Sequence, residues 1–206
     1  MRDGDVRTER GLERLIFFTD AVVAIAITLV VLPLVDEAKD LGKRSVAEFL
    51  SEDSAALVAA AISFVVIGAF WRDHHRLFER ATGYTPTLLR ANLLWLAGVV
   101  FLPVATVLYV SAGKGDRVAI AVYLGTVTAV MFMSRIEEGI LIRSGLRSGP
   151  PLATTDLWIE TTPLFLISVA LVLALAFPAL GLWPVLILLL SRPVIRLAAM
   201  VIDRRG

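Results

Sequence analysis

Asp20 stands at the entrance of an apolar run, in the stretch Arg14-Leu-Ile-Phe-Phe18-Thr19-Asp20, and AVVAIAITLVVLPL follows as far as Leu34. Hydrocarbon makes an ionised carboxylate expensive. An acid at such a depth either caps or snorkels at the water-side end of a helix, or finds a partner inside a bundle. The chain's two histidines are adjacent, in Trp71-Arg-Asp-His74-His75-Arg-Leu-Phe78. Neighbouring residues diverge by about 100° on a helix, so the two rings do not chelate one metal as an i, i+4 pair does. Two readings stay open for them: a packed, hydrogen-bonded histidine, or a partner for Asp20. No G-x-S-x-G, H-E-x-x-H, P-loop or dinucleotide-binding fingerprint occurs, and no nucleophile–base set is visible, so the chain does not read as an enzyme.

The elements that must carry these groups follow from periodicity. At about 100° per residue, Arg14, Phe18, Val22, Ile25, Leu29 and Leu32 share one stripe of the first helix. Asp20 points to nearly the opposite side, with Ala24, Ile27 and Val31. On the second helix, Trp71, His74, His75 and Phe78 form one face. A column of large aliphatics packs in a core, faces lipid or lines a path, and the column by itself does not choose.

The 206 residues are 57% hydrophobic with a mean hydropathy of +0.79, against roughly 45–50% apolar in a soluble domain. A spanning helix needs about 20 mostly apolar residues. The chain therefore reads as one all-α integral membrane domain, residues 1–206, with six transmembrane helices. They are expected at about 15–35, 54–71 (continuing as a helix to Phe78), 88–111, 117–142, 156–177 and 181–202, with a short amphipathic piece near Val46–Leu50. Thr154, Thr155 and Asp156 are plausible caps for the fifth. The first run is read as a retained span. With the N-terminus inside, fifteen of the 20 Lys and Arg residues fall on the cytoplasmic side, which favours both termini cytoplasmic. A net charge of +1 argues against nucleic acid, and the absence of cysteine excludes disulfides and thiolate metal sites. No protein-ligated metal and no cofactor are expected. Arg135, Glu137, Glu138, Arg192 and Arg196 lie toward the cytoplasmic ends of the fourth and sixth spans. Structural ion pairing is their expected role, with Glu137 or Glu138 neutralising Arg192. Asn92 and Thr106 read as polar helix-contact residues.

Three stretches together resemble one family. Arg14-x-x-x-Phe18-Thr19-Asp20 is similar to the R-x-x-x-F-S-D signature of the transmembrane protein 175 family of potassium channels, in its six-span prokaryotic form. Ser63 to Trp71, continuing as W-x-x-H-H-x-x-F through His74, His75 and Phe78, resembles that family's second span. Asn92-Leu-Leu-Trp-Leu and Leu102-Pro103 resemble its third. The resemblance covers about the first half of the chain. Thr19 replaces the usual serine and keeps the hydroxyl. Spans four to six carry no matching motif. The resemblance implies a homotetramer in membrane lipid whose first helices line a central pore. It implies aliphatic rings five, nine and twelve residues after the motif acid, here Ile25, Leu29 and Leu32. It also implies a polar network joining Arg14 and Asp20 to His74 or His75.

The expected activity is passive conduction of monovalent cations, K+ among them, across the plasma membrane through a hydrophobic constriction. Stacked apolar rings gate by dewetting and need no charged ring. The chief rival is a proton-coupled secondary transporter that uses Asp20, a histidine and Arg14 as a relay. The lack of inverted repeats and of broken span pairs weakens it. A third reading is a membrane scaffold without flux.

Overall fold

The computed structural model describes residues 8–39, 42, 44–113, 115–149, 154–180 and 183, and the expected sixth span lies outside them except for Trp183. Seven α-helices are described: α1 (Glu9–Leu29), α2 (Leu32–Lys39), α3 (Val46–Glu52), α4 (Ser54–Phe78), α5 (Pro86–Ser111), α6 (Arg117–Arg143) and α7 (Thr154–Ala176). A 3-10 turn follows at Pro178–Leu180. Among the described residues, four helical stretches are long and apolar enough to cross a membrane: α1 with α2, α4, α5 and α6.

Local chemistry sets the ends. Thr85 caps α5 by accepting the amide of Leu88, with Pro86 in the first turn, where a missing N–H costs nothing. Asp116 caps α6 through the amides of Val118 and Ala119. Ser45 and Glu48 form a reciprocal capping box on α3.

The first span departs from expectation. It is not one straight helix to Val35, because the chain turns at Val30–Val31 before α2. Pro33 supplies the reason. It has no N–H to give the carbonyl of Leu29, four residues back, so the helical ladder cannot run through. The amide of Val31 tightens instead onto Thr28, and that of Leu34 onto Val31.

α5 packs against α1, α4 and α6, and α6 also packs against α7. Gly98 lets α5 and α6 approach closely, since a Cβ there would lie 2.6 Å from Cγ2 of Val130. The main core gathers Val23, Ala26, Ile67, Trp95, Val99, Leu102, Tyr123 and Leu124, with Ile167 from α7. Ser63 ties three helices there, 2.8 Å from the Thr106 hydroxyl and 3.0 Å from that of Tyr123. A second core at the Arg14 end joins Leu12, Leu15, Phe78, Leu88 and Leu141. There the segment after α4 pairs with the segment after α6. Thr82 N–H donates to Leu146, and Ser148 N–H to Arg80.

Candidate functional site: a polar anchor beneath an exposed aliphatic stripe

α1 has two faces of opposite character. Leu12, Leu15, Thr19, Val23 and Ala26 are buried against the bundle. On the other side Arg14 and Phe18 are exposed, and so are Ile25 at 60%, Leu29 at 40% and Leu32 at 47%. Of the stripe read from the sequence, Phe18, Ile25, Leu29 and Leu32 thus lie on the outward face, whereas Val22 is half-buried against the main core. Two details differ. Leu32 lies beyond the turn, so its position relative to Leu29 is not that of one continuous helix. Val31, expected on the packed side, is exposed, because the buried face of α1 runs through Leu15, Thr19, Val23, Ala26 and Val30, and Val31 points about 100° away from it.

The inward face is fastened by a directed chain of hydrogen bonds. Thr19 sits one helical turn after Leu15 and donates its hydroxyl to that carbonyl at 2.9 Å. Its oxygen is left to accept, and Asn92 Nδ2 of α5 donates to it at 2.8 Å. That bond orients the amide and turns Asn92 Oδ1 toward His74 of α4, 2.8 Å from Nε2. An amide oxygen only accepts, so the proton of His74 is on Nε2. The imidazole lies between Phe78 and Trp95, with ring centroids 4.3 Å and 4.2 Å away. Trp95 is itself held by its N–H to Ser134 of α6, at 2.9 Å. Thr19, Asn92 and His74 are all buried.

Asp20 is not hydrogen-bonded to either histidine as expected. Its carboxylate accepts from the indole N–H of Trp71 at 2.9 Å. His75 stacks on Trp71 with centroids 5.4 Å apart and lies 3.3 Å from Glu79. The predicted face of Trp71, His74, His75 and Phe78 is therefore split. His74 and Phe78 point inward, while Trp71 is exposed and His75 half-buried. Adjacent residues on a helix cannot both turn to one neighbour, and the more central direction falls to His74. Arg14 is exposed and stands outside this chain of bonds.

Two members of the cluster were underread in the sequence. Asn92 looked like a generic contact residue, yet it joins α1 to α4. Glu137 of α6 was expected to form an ion pair. It is 0% exposed, and neither carboxylate oxygen has a hydrogen-bond partner among the described residues. Oε1 lies 3.9 Å from His74 Nε2. Its sequence neighbour Glu138 does form the expected kind of pair, 2.8 Å from Arg135. Arg192 and Arg196 lie outside the described residues. Among the described residues, no group of three or more His, Asp or Glu side chains is placed to hold a metal ion.

Residues 14–103 match the model of the family described as the endosomal/lysosomal potassium channel TMEM175. The match spans α1, α4 and most of α5, the three helices joined by Thr19, Asn92 and His74. Over residues 14–103 the chain resembles the TMEM175 family. A potassium channel of Streptomyces collinus is 34% identical over 62% of this chain and 63% of that protein. The endosomal/lysosomal proton channel TMEM175 of Gallus gallus is 37% identical over 45% of this chain and 20% of its own length. The chain thus spans less than two thirds of these curated relatives. The crystal structure of a lysosomal potassium-selective channel TMEM175 homolog from Chamaesiphon minutus superposes with a TM-score of 0.63 at 25% identity. That superposition covers 96% of this chain and 98% of the other.

Proposed function

We propose that this chain is one subunit of a potassium-permeable cation channel. Four copies assemble around an axis lined by α1, and Ile25, Leu29 and Leu32 form apolar constrictions there. Each subunit is a single domain of six spans, residues 1–206, set in the plasma membrane with both termini cytoplasmic. One observation carries the reading: α1 turns an exposed aliphatic stripe outward while Thr19, on its far side, is locked to α5 and thence to α4. A helix so held presents one fixed face. The names of the Streptomyces and Chamaesiphon proteins supply the ion.

In this arrangement a ring of four branched side chains closes an apolar gap that water leaves, and an ion must shed hydration to cross. Ile25 and Leu29 stand on the same helix, so their rings are about 6 Å apart along it. The turn at Val30–Val31 sets the Leu32 ring apart from that spacing.

The test is single-channel recording of purified protein in bilayers, with potassium on one side and sodium on the other. Ile25→Asn lines one ring with amides that hold water. It should give larger currents and a lower preference for potassium. Val23→Asn, on the buried face of α1, should harm packing without a leak. Equal conductance changes at both positions would show the stripe to be only a packing surface. A proton path is the second reading, favoured by the name of the Gallus gallus relative. Saturable flux coupled to a pH gradient, without unitary currents, would favour a carrier instead.

A further inference from the structure

Glu137 is a buried acid that the bonding scheme of the described residues leaves over. It sits on α6, a stretch long and apolar enough to cross a membrane, fully enclosed, with both oxygens lacking a donor among the described residues. A carboxylate stripped of water and of every donor is a costly species, whereas a neutral carboxylic acid is tolerable there. The Nε2–H of His74 lies 3.9 Å from Oε1, and it is already given to Asn92 at 2.8 Å. One N–H on Nε2 cannot serve both acceptors at full strength. The two acceptors therefore compete for a single hydrogen, and the charge on Glu137 decides the competition.

We propose that Glu137 is a proton-binding site that controls the hold of α5 and α4 on α1 through His74. With the proton on, Glu137 is neutral, His74 donates to Asn92, and Asn92 donates to Thr19 of α1. When the proton leaves to water, the carboxylate draws the Nε2–H toward itself. Asn92 Oδ1 then loses its donor, the amide is no longer oriented toward Thr19, and the inward face of α1 is less firmly fastened. The occupant of the site is a proton.

The surrounding charges leave this role to Glu137. On its own helix the nearest cation is Arg135, which is engaged with Glu138. From α4 the facing titratable group is His74, with His75 beyond it against Glu79. From α1 the acid near His74 is Asp20, held by Trp71. From α5 the side chains around His74 are Asn92 and Trp95, neither titratable, and Arg90 is exposed. The described side chains of α7, from Thr162 to Ala176, include no ionisable group.

Two measurements on the full chain test this. In the first, infrared spectra of the detergent-purified protein are titrated from acid to alkaline pH. A protonated carboxylic acid band should persist at neutral pH in the wild type and in Glu138→Gln, and be lost in Glu137→Gln. In the second, potassium flux from liposomes is followed over the same pH range. The wild type and Glu138→Gln should share a one-proton transition, whereas Glu137→Gln should be pH-independent at the wild type's low-pH level. Absence of the band at neutral pH, or its persistence in Glu137→Gln, overturns the site. Loss of the band with an unchanged flux profile overturns its control of α1. The flux arm rests on the channel reading, and the infrared arm does not. Absence of flux at every pH therefore rejects the channel reading, while the infrared arm still decides the site.

Discussion

Asn92 is worth most as a converter between two helices that offer mismatched groups. Thr19 has already spent its hydrogen on its own helix, so it can only accept. His74 in its slot has a hydrogen to give. An amide has both a donor and an acceptor, set a short distance apart, and fits between them. Asn92→Leu fills similar space but removes the donor to the Thr19 oxygen and the acceptor of the His74 hydrogen. It should lower stability by about 1–3 kcal/mol. Thr19→Ser, which keeps the hydroxyl and loses one methyl, should cost about 1 kcal/mol or less. Thermal unfolding in one detergent would compare them. A Leu variant as stable as the wild type would mean that the bonds hold no net energy. Trp71 makes a similar point from the other side. Its indole N–H stabilises Asp20 near the surface of the bundle, where a histidine had been expected.

At the scale of elements, chain breaks and caps decide what the helices can present. Pro33 ends α1 early, and the stripe then passes through a turn between Leu29 and Leu32. α3 depends on its first turn, where the Ser45 amide donates to Glu48 at 2.6 Å and the Glu48 amide donates back to the Ser45 hydroxyl. The backbone bond, with the Ser45 side chain adding to it, holds the Glu48 carboxyl below its usual range. A depressed carboxyl stabilises the cap above its unfolded pKa of about 4.3, and that support is lost as pH falls through the folded value. Amide exchange in α3, corrected for intrinsic rates, should therefore show weaker protection on acidification. In Glu48→Gln that dependence should be flat. Identical pH profiles in the two proteins would show that the box does not govern α3.

For the whole molecule, the proposed arrangement makes a claim about sidedness and copy number. Cysteines introduced at Lys39 and Lys114 should label from outside in intact cells, and one at Arg80 should not. The reverse pattern would invert the orientation. Native mass measurement in mild detergent should find four copies. A stable monomer that still conducts would separate the conducting path from the tetramer axis. The subunit itself fits such an assembly, because its outward α1 stripe is apolar from Phe18 through Ile25 to Leu32, while Thr19, Asn92 and His74 bond one another inward.

The amino-acid sequence by itself determined where α4, α5 and α6 lie. Apolar length and the capping residues place α4 at Ser54–Phe78, α5 at Pro86–Ser111 and α6 at Arg117–Arg143, within a few residues of expectation. It also determined the aliphatic stripe of α1, because a 3.6-residue period fixes directions within one helix. What it could not fix was how far each helix is rotated and raised against its neighbours. That is why Asp20 was assigned to a histidine and belongs to Trp71, and why Asn92 and Glu137 looked ordinary. Hydrogen bonds at 2.8 Å between helices depend on rotations and heights set by packing, such as the close approach at Gly98 and the slot between Phe78 and Trp95. Only the tertiary structure sets those, because they belong to pairs of helices and not to any single segment.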